Sequence, residues 1–293
     1  MYRSPRSRLI GIAYLAPAVI FVLAFTAYPL GQMVWMSFHN WSLITPPRFV
    51  GLGNYRRAFD DRQFWVSFVF TLKYTAIITP VLIVGGYLLA LLTSQNSRMR
   101  RFTRTTVFIP VVIGLGVSSL LWYWLFSTDF GLVNRALSDV GVISKPVLWL
   151  GVDADRSNLS IITSVVWKVI GFGMILFVGA IQAIPTEINE ASLVDGASYW
   201  QRVTRVILPL TLRTVLLVTL VSVIGSLLAF DQFYILTNGG PDNSTITVVL
   251  QIYRQAFFLF DLGKGAALSI IVLVILLALN IVQFRILRTS DQE

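Results

Sequence analysis

The sequence has no cysteine and a single histidine, His39, among its 293 residues. These absences exclude disulfides, cysteine-ligated zinc and thiol catalysis, and they leave no histidine cluster to bind a metal. Charged residues are also scarce, at 13% of the chain, whereas soluble domains carry roughly 25%. Because a soluble protein covers its surface with charge, this shortage indicates that much of the outer surface faces lipid. No catalytic residues are predicted.

Long apolar runs take the place of the missing charge. Hydrophobic residues make up 56% of the chain, the mean hydropathy is +0.75, and a spanning helix needs roughly 20 mostly apolar residues. The first apolar run has no small-residue cleavage site, so we expect a retained helix rather than a signal peptide. The sequence predicts an all-α, polytopic membrane protein with one domain over 1–293. Its six transmembrane helices are expected at about 9–34, 66–93, 105–126, 159–184, 212–235 and 264–286.

The distribution of lysine and arginine predicts the orientation. With the N-terminus inside, the inner segments hold twelve basic residues against five acids, a net charge of about +7, and the outer segments hold nine against eight, about +1. The segment 98–104 contributes most, with four arginines in seven residues. Cytoplasmic loops carry such an excess, so both termini are expected in the cytoplasm. The formal net charge of +9 then follows from topology, and no nucleic-acid partner is expected.

The first outer segment contains a helical alternation of aromatic and charged residues over 54–66. This pattern favours a short amphipathic helix on the outer membrane surface. An irregular loop held by its aromatic residues is the alternative.

The connection between the fourth and fifth windows, residues 185–210, is long and does not have the composition of a disordered loop. Thr186 followed by Glu190 is typical of a helix start, with a capping hydroxyl and negative charge in the first turns. Asp195 and Gly196 are typical of a turn, since glycine accepts a positive φ at little cost.

A second helix is predicted over 198–207, ending at Leu208-Pro209. It is expected to place Trp200, Val203, Val206 and Ile207 on one apolar side. The result is a helix-turn-helix on the cytoplasmic side whose apolar face suits docking to another protein. A surface hairpin that only joins two spans is the alternative.

Residues 190–197, Glu-Ala-Ser-Leu-Val-Asp-Gly-Ala, followed by Leu208-Pro209, resemble the EAA loop of membrane subunits of binding-protein-dependent ABC importers. The family pattern is E-A-A-x-x-D-G-A, a spacer, then I-x-L-P, and this chain departs from it at Ser192 and Val206. In that family the loop forms a coupling helix that sits in a groove of the ATPase subunit. Purely structural capping by the two acids is the alternative. The residues to which the resemblance gives the coupling role are Glu190, Ala191, Ser192, Asp195, Gly196, Ala197, Leu208 and Pro209.

A second segment, 236–245, contains Thr-Asn-Gly-Gly-Pro-Asp-Asn-Ser-Thr and resembles the T-x-G-G-P-x-x-x-T segment in the last outer loop of carbohydrate-type permeases. Asn54-Tyr55 and Pro110 also fit that family. The resemblance implies a fold like that of type I ABC importer permeases, in a compact six-helix form. It also implies a substrate among the sugars, oligosaccharides and glycerophosphodiesters.

The sequence contains no G-x-x-x-x-G-K-[ST] segment, so the chain does not form the phosphate-binding loop of an ATPase. The resemblance therefore implies that ATP and Mg²⁺ bind to two partner ATP-binding cassette subunits and that this chain binds no cofactor. It further implies a second related permease, an external solute-binding protein and a bacterial inner membrane.

Polar residues within the apolar windows are candidates for the substrate pathway. A central charge costs roughly 2.5–3.5 kcal/mol on insertion scales, and Lys73, Lys168 and Asp231 are expected at similar depths. Either Asp231 pairs with a lysine and the lysines extend outward, or the three line a pocket. In such a pocket the positive excess would suit a phosphate-bearing substrate and tryptophans would stack on a sugar. The candidates are Lys73, Trp122, Trp167, Lys168, Asp231 and Gln232.

Two other classes of protein are possible from composition alone. A self-contained secondary transporter would show an inverted repeat or an ion relay, and the sequence shows neither. A membrane enzyme would need carboxylates or histidines clustered near one membrane face, and the few acids on the inner side belong mainly to the 185–210 segment.

Overall fold

The computed structural model of the chain describes residues 5–42, 44–95 and 97–289. Most of this part is helical, and its two short strands, β1 (His39–Asn40) and β2 (Arg48–Phe49), pair antiparallel. Three π-helical turns lie at Leu23–Ala27, Val203–Ile207 and Arg254–Phe258. The helices are α1 (Pro5–Val22), α2 (Tyr28–Ser37), α3 (Gly53–Phe59), α4 (Arg62–Thr93), α5 (Arg98–Val112), α6 (Leu115–Leu125), α7 (Leu132–Asp139), α8 (Ala154–Gln182), α9 (Thr186–Val194), α10 (Tyr199–Arg202), α11 (Leu208–Leu210), α12 (Leu212–Leu227), α13 (Asp231–Leu236), α14 (Val248–Tyr253) and α15 (Leu262–Thr289).

Among the described residues, four helical stretches are long and apolar enough to cross a membrane: Tyr14–Ser37, α4, α8 and Leu262–Gln283. Two bent pairs pass the same criterion, α5 with α6 and Tyr199–Leu210 with α12, at bends of 102° and 70°. Six spans result if each bent pair crosses once. The predicted all-α polytopic membrane fold is confirmed.

The third window, 105–126, holds two helices rather than the single helix predicted. Ile113 and Gly114 have extended backbones, with ψ of 138° and 145°, between α5 and α6. Pro110, which has no N–H to donate, lies in the last turn of α5 and weakens it further.

The fifth window, 212–235, also needs correction. Helix α12 ends at Leu227, and Phe230 has a non-helical backbone before α13 begins at Asp231. Asp231 therefore lies in the first turn of a separate short helix and not within the fifth span.

The predicted amphipathic helix over 54–66 is divided as well. Helix α3 ends at Phe59, and α4 begins at Arg62 and continues as a membrane span. Only the first half of the segment forms a short helix of its own.

The chain forms two compact units. The first contains the residues up to Arg62 together with Ile252–Ile275, and the second contains Gln63–Gln251 and the residues from Leu276 onward. The expectation of one domain over 1–293 stays a prediction, and residues 1–4, 43, 96 and 290–293 of that range lie outside the described part.

In the first unit, the fully buried Asn54 of α3 fixes the chain that follows α2. Its amide donates to the carbonyl oxygens of Ser37 and His39 at 2.9 and 2.8 Å. Arg57 pairs with Asp261 at 2.7 Å. These contacts tie the end of α2, β1 and the residue before α15 to one short helix, which explains why an asparagine is buried here.

The second unit has its core between α4, α8 and α12. The buried cluster consists of Tyr87, Ala90, Met174, Phe177, Val178 and Val218. Helix α8 also packs against α5 at Gly171, where a Cβ atom would lie 2.3 Å from the carbonyl oxygen of Val107. Only glycine permits this approach, because real Cβ contacts are never so short.

Gly171→Ala is therefore expected to destabilise the protein by about 1–3 kcal/mol, the usual cost of overpacking. The added methyl meets the backbone of α5, which cannot rotate away as a side chain would. The matched control is Gly179→Ala on the same helix, where a Cβ meets nothing within 4 Å. Thermal unfolding in detergent should show a lower Tm for Gly171→Ala alone, and equal Tm values for both variants would contradict the close packing.

Candidate functional site

Residues 185–210, termed here the coupling hairpin, form two helical halves around Gly196. Helix α9 ends at Val194 with Asp195 as its C-cap, and Gly196 has a φ of +74°. The N–H of Gly196 donates to the Leu193 carbonyl and that of Ala197 to the Ser192 carbonyl, both at 3.0 Å. This is the Schellman arrangement, which closes a helix and favours glycine at this position.

The second half of the coupling hairpin starts with a capping box. The Ser198 hydroxyl accepts from the Gln201 N–H, and the Gln201 side chain accepts from the Ser198 N–H. The helix runs from Tyr199 through the π-turn to Leu210 and does not end before Pro209 as predicted. Pro209 is tolerated because it is the second residue of α11, directly after the π-turn, where its missing N–H is not required.

The apolar side of this half divides in two. Val203 and Ile207 are buried, whereas Trp200 is 63% exposed. Spacings of three and seven residues keep Trp200 on the same side of the helix as Val203 and Ile207, so burial on this side ends before Trp200. Trp200 lies with other exposed apolar residues around the turn, and Val194 is 88% exposed. The members of this surface, termed the hairpin tip, are Leu193, Val194, Tyr199 and Trp200.

The predicted coupling residues differ in how far they are exposed. Ser192 is buried, and its hydroxyl donates to the Asn189 carbonyl at 2.7 Å. Ala197 is half-buried, and the others, Glu190, Ala191, Asp195, Gly196, Leu208 and Pro209, are exposed.

Glu190 and Asp195 do not cap a helix with their side chains. Asp195 closes α9 through its backbone N–H, which donates to the Ala191 carbonyl, and α9 has Pro185 rather than Thr186 as its N-cap, with no side-chain cap. Within the described part of the chain, the Glu190 and Asp195 carboxylates have no hydrogen-bond or ion-pair partner. Both are left available to an external partner.

A second candidate region is an apolar cavity of about 200 Å³ in the second unit. Gln232 is buried there and hydrogen-bonded to the Tyr74 hydroxyl, and Asp231 is half-buried beside it. Polar groups are few and adjacent, which is typical of small-molecule sites. The lining residues are Tyr74, Ile78, Leu82, Leu115, Val165, Val169, Phe172, Val221, Ser222, Gly225, Ser226, Leu228, Ala229, Phe230, Asp231 and Gln232.

Of the six predicted pathway residues, Asp231 and Gln232 line this cavity. Lys73 is exposed on another side of α4 than the buried Tyr74. Lys168 is buried, and its Nζ donates to the Val111 carbonyl at 2.8 Å. In the described part of the chain Asp231 pairs with neither lysine. The predicted ion pair is therefore absent there, and the prediction that Lys73, Lys168 and Asp231 line one pocket was wrong.

The two predicted tryptophans pack on each other rather than on the cavity. Trp122 and Trp167 meet edge to face with ring centroids 5.8 Å apart. The aromatic residues at the cavity are Tyr74, Phe172 and Phe230. A signal for the inner face of α4 exists in the sequence, because its small polar residues Ser67, Thr71, Thr75 and Thr79 recur at every fourth position and are all buried. Tyr74, which precedes Thr75, is buried with them.

The predicted outer loop, 237–245, follows α13 and is held together by threonine hydroxyls. The Thr245 hydroxyl donates to the Gly240 carbonyl at 2.6 Å and lies 2.8 Å from that of Thr237. Asn238 and Asn243 have φ of 44° and 60°, a region that asparagine occupies more readily than most residues. The T-x-G-G-P-x-x-x-T residues thus form a fixed loop at the end of the helix that carries Asp231 and Gln232.

This combination of helices that span a membrane, a cavity between them and a projecting hairpin defines the class of the protein as a membrane transport subunit. The chain matches the family described as binding-protein-dependent transport system inner membrane component over residues 82–292. The chain belongs to this family, whose members are the permease subunits of ABC importers. Membership of this family argues against both alternatives, a self-contained secondary transporter and a membrane enzyme.

Relatives of nearly the same length support this assignment. The sulfoquinovosyl glycerol transport system permease protein SmoG of Agrobacterium fabrum is 31% identical over 286 residues, which cover 97% of this chain and 92% of that protein. The trehalose/maltose transport system permease protein MalF of Thermococcus litoralis is 33% identical over 283 residues, covering 96% and 94%.

Two solved structures have a similar fold. A chain of the bacterial alginate ABC transporter in complex with an alginate pentasaccharide-bound periplasmic protein aligns with a TM-score of 0.83 at 24% identity, covering 96% of both chains. A chain of a bacterial ABC transporter involved in alginate import aligns with a TM-score of 0.79 at 26% identity, covering 96% of this chain and 97% of that one.

Thr245→Val tests the loop geometry. Loss of the hydroxyl leaves the Gly240 carbonyl without its short hydrogen bond, and burial of an unsatisfied group costs about 1–3 kcal/mol. Thr163→Val is the control, because that hydroxyl is exposed and donates only to Leu159 of its own helix. A lower Tm is expected for Thr245→Val alone, and an unchanged Tm would show that the hydroxyl is not needed to hold the loop.

Proposed function

We propose that the chain forms half of the translocation pathway of an ABC importer for a carbohydrate. The observation that carries the proposal is the family membership together with the cavity beside Asp231 and Gln232. The relatives are named for transport of sugars or sugar derivatives, among them sulfoquinovosyl glycerol and trehalose or maltose. A carboxylate and an amide beside aromatic rings can hydrogen-bond sugar hydroxyls and stack on the apolar face of a sugar ring.

The cavity favours a neutral substrate over a phosphate-bearing one. Its charged lining residue is an acid, Asp231, which would repel a phosphate. Lys73 is not among the lining residues, and the ammonium group of Lys168 is occupied by a backbone carbonyl. The support for a glycerophosphodiester, which rested on an excess of two lysines, is therefore weakened in favour of a sugar or oligosaccharide.

The coupling hairpin is proposed to receive force from an ATPase. The hairpin tip exposes four large apolar residues next to the unpaired carboxylates of Glu190 and Asp195. Protein docking sites commonly contain large apolar side chains next to charged ones. Two partner ATP-binding cassette subunits would bind ATP and Mg²⁺, and this chain would bind no cofactor itself.

The remaining partners follow from the family. A second related permease would supply the other half of the pathway, and an extracytoplasmic solute-binding protein would deliver the substrate. The inner segments, which include 98–104 and the coupling hairpin, have an excess of basic residues. This excess supports an orientation with both termini in the cytoplasm. The outer loop 237–245 would then face the solute-binding protein on the outer side of the bacterial inner membrane.

Val194→Asp tests the docking of the ATPase. The side chain is 88% exposed, so its replacement should change folding stability by less than about 0.5 kcal/mol. Burial of an aspartate against an apolar groove should weaken docking, and the yield of ATPase subunits that co-purify in mild detergent should fall about tenfold. The control is Val152→Asp, an exposed valine of the predicted outer segment 127–158. Equal co-purification from both variants would contradict the docking role.

Asp231→Asn tests the pathway. The change keeps the size of the side chain but removes a charged acceptor, and hydrogen bonds to charged groups contribute about 1.5–3 kcal/mol. Uptake of a bound sugar by the reconstituted complex should fall at least about tenfold while the complex still assembles. Lys73→Ala should leave uptake near the starting level, because Lys73 points away from the cavity. A larger loss from Lys73→Ala than from Asp231→Asn would restore the anionic-substrate hypothesis.

A further inference from the structure

The break between α5 and α6 leaves helix carbonyl groups without partners. The last four carbonyl groups of a helix have no N–H within the helix to accept from, and in a membrane no water replaces it. In a continuous helix the Val111 carbonyl would accept from the N–H of Leu115, but Ile113 and Gly114 are extended. A donor from elsewhere in the protein is needed at this point.

Lys168 supplies that donor. Its side chain comes from α8, is 7% exposed, and places Nζ 2.8 Å from the Val111 oxygen. A positive charge at the C-terminal end of a helix is also favourable because the backbone dipoles of the helix leave partial negative charge there. The lysine thus satisfies a broken helix end by hydrogen bonding and by charge at the same time.

The position of α8 beside this helix end is fixed by Gly171, one turn after Lys168. A Cβ at Gly171 would lie 3.0 Å from the Cα of Phe108 as well as 2.3 Å from the Val107 oxygen. The backbones of α8 and α5 are therefore in direct contact immediately beside the lysine, and the ammonium group has little freedom to move elsewhere.

The break determines one wall of the cavity. Helix α6 begins at Leu115, which lines the cavity together with Val165 and Val169 of α8. The direction in which α6 leaves the break, 102° from the axis of α5, places Leu115 at this wall. If α5 and α6 were one straight helix, Leu115 could not occupy the same place.

We propose that Lys168 is a positioning residue that holds the bend between α5 and α6 and so shapes the cavity, without contacting the substrate itself. The inference rests on the proposed function only for its uptake measurement, because the bend is measured independently.

The absence of cysteine makes a direct distance measurement possible. Spin labels at Phe102→Cys on α5 and Tyr123→Cys on α6, both exposed, report the bend by pulsed electron spin resonance in the assembled complex. A straight helix would separate the two backbones by about 32 Å at 1.5 Å per residue, and the observed bend reduces this to about 20 Å.

Lys168→Met, which removes the donor and the charge but keeps the length, should move or broaden the distance distribution toward longer values. Lys168→Arg should retain the short distance, and Lys73→Met, a second lysine removed from an apolar helix, should not change it. If Lys168→Met does not assemble, Lys168→Gln serves in its place, since its shorter side chain also lacks the charge. A short distance that is unchanged in the Met or Gln variant would overturn the proposal.

Transport kinetics distinguish the role of Lys168 in holding the bend from the proposed substrate pathway through the cavity. A misplaced cavity wall should raise the KM for uptake about tenfold with a smaller fall in maximal rate, and Lys168→Arg should recover most of the loss. A lengthened distance with unaltered KM would support the bend-holding role and contradict the proposed pathway through this cavity. An altered KM with an unchanged distance would instead refute the positioning role of Lys168.

Discussion

The structure depends on one constraint, which is that backbone N–H and C=O groups in a bilayer must find partners within the protein. Continuous helices meet this condition by themselves, and a break needs donors from elsewhere in the protein. Lys168 donates to Val111 at the break between α5 and α6, and Thr247 donates to Ala229 at 2.8 Å beyond the end of α12.

The cavity lies where these breaks meet. Leu115 follows the break after α5, and Ala229 to Gln232 follow the end of α12. Polar side chains can be kept at membrane depth here because non-helical backbone and short helices allow their neighbours to turn toward one another. An uninterrupted bundle of the same composition would leave Asp231 and Gln232 either exposed to lipid or buried without partners, both at a high cost.

A feature could be predicted from the sequence when the residues that cause it are close together in the chain. The apolar spans and the turn at Gly196 depend on residues next to one another in sequence, so composition and the glycine signal predicted them, but not the breaks within the third and fifth windows. The partner of Lys168 was not predictable, because it is a carbonyl group that becomes available only when the helix breaks at Ile113. The inner face of α4 has a local signal in its buried polar residues at every fourth position, whereas the residues that meet it at the cavity come from other helices and depend on packing.

The coupling hairpin and the cavity share a structural connection through α4. The Tyr87 hydroxyl lies 2.8 Å from that of Thr211, the residue at the 70° bend where the hairpin joins α12. Tyr74, Ile78 and Leu82 of the same α4 line the cavity. The hairpin base and the cavity wall are therefore joined by one hydrogen bond and one continuous helix. Coupling between distant sites needs a connection whose arrangement both sites bias, and this bond is the point at which a displaced hairpin would meet the helix that lines the cavity.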